Sequence, residues 1–197
     1  MCSRFEIKTT PRKVARRFGL SEAPTLPDRE EIRPTNPALV IASGATSPRV
    51  LTLTWGLPSS WDGKPLINAR AETLEEKKSF RPFLEYRCLV PATGYFEWRR
   101  EGRNKLKNRI QVADEEIFAF AGLMDGKRFT VLTCAPHPDI AHIHNRMPVI
   151  LSPEGESGWL DEGASYRDVR RFLIPYNARA LTADESIPRN HQPDLFS

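Results

Sequence analysis

Proline limits what this chain can build more than any other residue, occurring 17 times in 197 positions where about 5% is usual. Each ring fixes φ and removes a backbone donor, so helices must be short and turns frequent. Between the prolines the pattern is mostly that of strands. "SRFEIK" alternates as a first strand, and "TPRKVARRFG" follows as a short helix with Thr10 as N-cap, Pro11 at the first helical position and Gly19 as its stop. Residues 21–37 are rich in proline and acids and form a long irregular connection, too early in the chain to link domains. "ALVIA" and "VLTLTWG" are strands, "AETLEEKKSF" is a short helix, and "RCLVPATGYFEW" is strand, turn and strand with its bend at Gly94. "NRIQVA", "IFAFAGL" and "RFTVLT" add strands, "APHPDIAHIH" a turn with a short helix, and "RMPVIL" a late strand. Two short helices surround "GWL" and "YRDVRRFL". This order predicts an α+β fold with a curled, barrel-like antiparallel sheet and peripheral helices. The length suits a single compact domain over residues 2–197, with an irregular tail after about residue 185.

Several function classes are disfavoured at once. No apolar run approaches the roughly 20 residues that span a bilayer, and no hydrophobic segment follows the basic N-terminal stretch as in a signal peptide. No membrane partner is expected, and the expected location is the cytoplasm, with nucleoid association if the source is bacterial. Cys2, Cys88 and Cys134 are odd in number and lack CxxC spacing, so at least one thiol stays free. "GKP" and "GKR" lack a preceding phosphate-loop framework, and no cofactor is expected. With no interface signature visible, a monomer is the default. The net charge of +4 is small for a nucleic-acid protein. Basic residues nevertheless gather in "KTTPRKVARRF" and "WRREGRNKLKNR", which are either solvated faces or phosphate-facing ones.

The second residue carries the sharpest chemistry. A cysteine so near the start of a chain is expected to be mobile and outside the core, and its small size permits removal of Met1. Cys2 would then carry both a thiol and an α-amine, which titrate near 8.5 and about 7.7–8.0. The amine condenses with an aldehyde to an imine, and the thiolate closes on the same carbon to a thiazolidine. Alternatively Cys2 is a nucleophile for acyl transfer, or an ordinary second residue.

Other constellations admit two readings each. In "PLINARAE", extended spacing puts Asn68, Arg70 and Glu72 on one face, with an amide to orient an oxygen and a guanidinium for phosphate. Otherwise Asn68 caps a helix and Glu72 complements its dipole. In "PATGYFEW", Glu97 points away from Phe96 and Trp98; it is a solvated strand residue if they are core, and a desolvated proton carrier if they rim a cleft. In "HIHNRMPV", His144 beside Arg146 reads as a proton carrier next to an anion binder, or as a buried, hydrogen-bonded histidine. Cys134, His137, His142 and His144 have zinc-ligand chemistry, but their spacing fits no common zinc pattern and no metal is expected.

"MCSRF", "TNPA", "WGL", "INARAE", "GYFEW" and "HNRMPVIL" occur in the order found in the SRAP family, the SOS-response-associated peptidase proteins that process abasic sites in DNA. The resemblance runs from residue 2 to about residue 180. It implies a compact SRAP-like α+β domain with a positively charged channel for single-stranded DNA. It further implies that Cys2 forms a thiazolidine with the ring-opened abasic sugar, that Asn68 positions the cysteine and sugar, and that Glu97 transfers protons near the amine. His144 is associated with sugar ring opening and reversal of the link. Arg4 and Arg70 match phosphate contacts and Asn36 a pocket residue; Trp55 of the "WGL" motif and Arg146 complete the expected DNA-binding set. Where the family usually has glycine, this chain has Ser3, which adds a side chain beside the nucleophile.

The expected activity is therefore covalent capture of abasic sites in single-stranded DNA, shielding the lesion, with strand cleavage by β-elimination as a possible branch of the imine. The rivals are a thiol autopeptidase or peptidase using Cys2, and a noncatalytic single-stranded nucleic-acid binding module. A peptidase also needs an oxyanion hole and a peptide cleft, for which the sequence carries no signal. A binding module would hold DNA reversibly even without the thiol.

Overall fold

The structure is a computed structural model describing residues 2–59 and 63–185. Its strands and helices, in chain order, are β1 (Phe5–Glu6), α1 (Pro11–Phe18), β2 (Pro37–Ala42), β3 (Arg49–Trp55), β4 (Asn68–Arg70), β5 (Arg87–Ala92), β6 (Gly94–Glu101), β7 (Asn104–Val112), β8 (Phe118–Met124), β9 (Arg128–Cys134), β10 (Met147–Pro148), β11 (Ile150–Leu151), α2 (Pro153–Trp159), α3 (Tyr166–Val169) and β12 (Leu181–Glu185). The α+β class holds: a large sheet carries peripheral short helices, none of which is long and apolar enough to cross a membrane. The expected tail after residue 185 lies outside the described residues.

Two sheets organise the strands. One has four strands in the order β1-β6-β7-β12; the other has eight, running β10-β9-β3-β2-β5-β8-β11, with β4 added beside β9. A further pairing of β8 with β9 closes β9, β3, β2, β5 and β8 into a ring. The ring is not wholly antiparallel as expected, because β9 pairs in parallel with β3, and β4 beside it also runs parallel to β9. Aromatics join the two sheets: Phe5 of β1 meets Trp55 and Phe120 edge-on at 5.1 and 5.8 Å, and Trp55 stacks on Phe129 at 6.2 Å. Such contacts add to the apolar area these rings remove from water.

Local signals explain most elements. α1 begins where Thr10 Oγ1 accepts from the Lys13 amide at 3.3 Å and ends at Gly19, whose φ of 61° is the left-handed conformation a helix stop requires. Arg17 ties this helix to α2 through both carboxylate oxygens of Glu156, each at 2.8 Å, and Lys13 pairs with Glu116. Part of the first basic stretch is thus committed to intramolecular pairs. Residues 71–80 correct the expectation of one helix: only Ala71–Thr73 forms a 3₁₀ turn, followed by further turns. "RMPVIL" also divides, with β10 pairing β9 and β11 pairing β8. Between them Val149 donates to Leu132 and accepts from Ala121, both at 2.9 Å, stitching the two neighbours together.

Candidate active site

The site forms at an edge that β1 leaves open. β1 pairs with β6 only through Tyr95 and Gly94, so from Glu97 onward the outer edge of β6 borders a cavity of about 390 Å³. Ser3 and Arg4 arrive from the chain start, Glu97, Trp98 and Arg100 from β6, Lys105 from β7, and His144 from the segment before β10.

Cys2 is anchored beside this cavity. Its carbonyl accepts a 2.6 Å hydrogen bond from Asn68 Nδ2, and its thiol lies 3.5 Å from the Arg4 carbonyl. That same Arg4 carbonyl accepts from the Phe96 amide at 2.9 Å, holding the segment against β6. The expectation of a mobile cysteine outside the core is corrected: Cys2 is only 1% exposed. Burial, reinforced by the nearby Glu97 charge, pushes its thiol pKa far above the ordinary thiol range. With Met1 still attached, the sulfur is thus held as the thiol.

Asn68 is placed by β4, not by a helix cap. Asn68, Ala69 and Arg70 pair in parallel with Val131, Leu132 and Thr133 of β9, so Asn68 and Arg70 share a face while Ala69 is buried. The Asn68 Oδ1 is buried without a hydrogen-bond partner among the described residues, leaving one acceptor for a reacting group. Arg70 is exposed.

Glu97 is 3% exposed and its pKa is pushed up to about 7, because burial disfavours the carboxylate more than the positive chain terminus favours it. Its two aromatic neighbours separate: Phe96 is buried, whereas Trp98 is half-buried and borders the cavity. His144 Nε2 stands 3.9 Å from Glu97 Oε2. His144 Nδ1 lies 3.1 Å from both the amide nitrogen and the carbonyl oxygen of Arg146. In the neutral ring the amide donates to Nδ1, which places the imidazole proton on Nε2, toward Glu97. Burial lowers the His144 pKa first, the positive terminus adds to that, and the Arg146 backbone opposes it. Burial thus favours the uncharged form of both groups, a protonated carboxyl beside a neutral imidazole that donates from Nε2.

Among the expected DNA-binding residues, the structure separates several roles. Trp55 requires correction: fully buried, it offers no face to DNA. Its indole N–H instead donates to the Ile67 carbonyl at 2.8 Å, directly before Asn68, making it a support for β4. Asn36 closes a turn, its Oδ1 accepting from the Arg33 amide at 3.1 Å, and is not among the residues bordering the cavity. Arg146 is not an open anion binder: its two terminal nitrogens are engaged by Glu72, at 2.7 and 2.8 Å, and by the Thr133 carbonyl at 2.6 Å, while its buried Nε has no hydrogen-bond partner among the described residues. Arg4 borders the cavity, lies 4.9 Å over the Trp98 ring and pairs with Glu31 at 3.3 Å. Glu31 also pairs with Lys107 and Arg33.

Sequence reasoning missed Tyr95 and Glu31. Tyr95 lies two residues before Glu97 on the same strand face, and its buried hydroxyl has no hydrogen-bond partner among the described residues. The signal for it was present in "GYFEW", where period-two spacing links the two residues. No comparable local signal marks Glu31, which reaches Arg4 across 27 positions. Among the described residues no group of three His, Cys, Asp or Glu side chains is arranged to hold a metal.

The abasic site processing protein YoqW of Bacillus subtilis is 33% identical over 223 residues, covering 100% of this chain and 99% of its own length. The abasic site processing protein YedK of Escherichia coli is 31% identical over 146 residues, covering 69% of this chain and 62% of its own length. A crystal structure of a Bacteroides thetaiotaomicron protein superposes with a TM-score of 0.80 at 30% identity, covering 93% of this chain and 91% of that one. Residues 1–187 match the family described as SOS response associated peptidase (SRAP), and the chain belongs to it.

Proposed function

We propose that this protein captures abasic sites in single-stranded DNA as a covalent thiazolidine on Cys2, shielding the lesion. Removal of Met1 exposes the Cys2 amine, which condenses with the aldehyde of the ring-opened sugar to an imine and releases one water. The Cys2 sulfur then adds to the imine carbon, and its proton passes to the nitrogen, so the adduct weighs protein plus DNA minus water. Glu97 and His144 carry the protons of ring opening, dehydration and closure. The observation that carries this reading is the 2.6 Å hydrogen bond from Asn68 to the Cys2 carbonyl, which holds that residue beside a carboxyl whose pKa is about 7. The names of the relatives support the lesion as substrate. Single-stranded DNA suits the chemistry because the sugar need not be extruded from a duplex.

Intact mass of the purified protein, before and after incubation with a single-stranded oligonucleotide carrying one abasic site, tests this directly. The expected result is a chain lacking Met1 and a denaturation-stable adduct that requires both the lesion and Cys2, and is absent in Cys2→Ala. Folded protein that lacks Met1 yet forms no adduct would sink the reading.

A further inference from the structure

The basic residues of the β6–β7 hairpin divide by partner. Arg99 donates to Glu101 at 3.3 Å and to Glu185 of β12 at 3.2 Å. Arg109 pairs with Glu6 at 2.7 Å, and Lys107 pairs with Glu31. Arg100 and Lys105 differ: neither makes an ion pair among the described residues, and both are exposed. The register sets them directly opposite one another, one residue pair from the hairpin end at Glu101 and Asn104. Like charges in that position destabilise a strand pair. Both also border the cavity that contains Glu97 and His144. Two uncompensated cations converging on the mouth of a reaction site create a local positive potential that an anion relieves.

Resting on the abasic-DNA reading, we infer that Arg100 and Lys105 form a seat for one backbone phosphate immediately beside the captured nucleotide. This seat is additional to the contacts expected of Arg4 and Arg70. Arg100 supplies a planar fork and Lys105 a point charge, a combination suited to a tetrahedral oxyanion. Arg100 shares β6 with Glu97, so the phosphate is positioned relative to Glu97 through a single strand.

The test uses an Arg100→Gln/Lys105→Gln protein, with Arg99→Gln as control. Equilibrium binding to undamaged single-stranded DNA is followed by anisotropy across a salt series. Loss of one phosphate contact predicts several-fold weaker binding, with the slope of log K against log salt reduced in magnitude by about 0.7. The Arg99 control should keep the wild-type slope. A methylphosphonate moved along the lesion-bearing strand, measured on Cys2→Ala protein, should weaken binding at one linkage next to the lesion. That loss should disappear when the hairpin substitutions are also present. An unchanged salt slope, or full additivity of the methylphosphonate and hairpin losses at every linkage, overturns the seat. Adduct formation by the wild-type protein is scored separately: its absence defeats the capture reading, while the salt slope on undamaged DNA still judges the seat.

Discussion

At 3% exposure, Glu97 holds its proton up to about pH 7 because burial disfavours the charged form. An acid whose folded pKa is raised binds more protons folded than unfolded, so its contribution to stability is full below the unfolded value near 4.5 and is lost as pH rises to about 7. Glu97→Gln removes that dependence. The melting temperature of the variant minus that of wild type should rise between pH 4.5 and 7 and then level off. The same variant should slow adduct formation by about 10²-fold or more, the low end for losing a proton-transfer group. Asn68→Ala deletes the amide that holds the Cys2 carbonyl, and single-turnover capture should slow by about 100-fold through misplacement alone. These residues were legible in sequence because their chemistry is local: an amide, a carboxylate and an imidazole each have few uses. The burial of Cys2 and Trp55 was not legible. A terminal position says nothing about which distant strands close over it, and alternation along β3 does not say which face becomes the interior.

The elements follow local rules until pairing overrules them. "AETLEEKKSF" contains good helix formers, yet after the extended β4 it forms only the Ala71–Thr73 3₁₀ turn and further turns. Gly56 supplies the turn after β3: its φ is 122°, and an added Cβ would lie 2.5 Å from Pro65 Cβ. Gly56→Ala should therefore destabilise the protein by about 3 kcal/mol in urea unfolding. It should also impair capture more than that loss predicts, since the added Cβ would also lie 3.5 Å from Ile67 Cγ2, next to Asn68. Arg17→Met, in contrast, removes the α1–α2 tie far from the cavity. Hydrogen bonds to charged groups contribute about 1.5–3 kcal/mol, so it should lower stability by about 2 kcal/mol and leave the adduct rate of the folded fraction unchanged.

For the molecule as a whole, closing the ring through β8 and β9 makes distant segments depend on one another. Trp55 is fully buried on β3 against Phe5 of the other sheet, and Trp159 packs where its indole N–H reaches the Cys88 and Gly122 carbonyls at 3.1 and 3.3 Å. Tryptophan fluorescence and far-UV circular dichroism should therefore show coincident urea transitions; separated midpoints would mean the ring and the outer sheet unfold independently. The sequence alone determined the short elements, the helix cap and stop of α1, the α+β class and the residue types of the site, because each depends on neighbours within a few positions. Tertiary structure alone decided that β9 would pair in parallel with β3 and β4, that Trp55 would support β4, that Arg146 would pair with Glu72, and that Arg100 and Lys105 would border the cavity without an ion-pair partner among the described residues. Those outcomes depend on which groups separated by tens of residues meet. Burial and pairing set the charge and reach of a side chain, and local sequence pattern does not specify either.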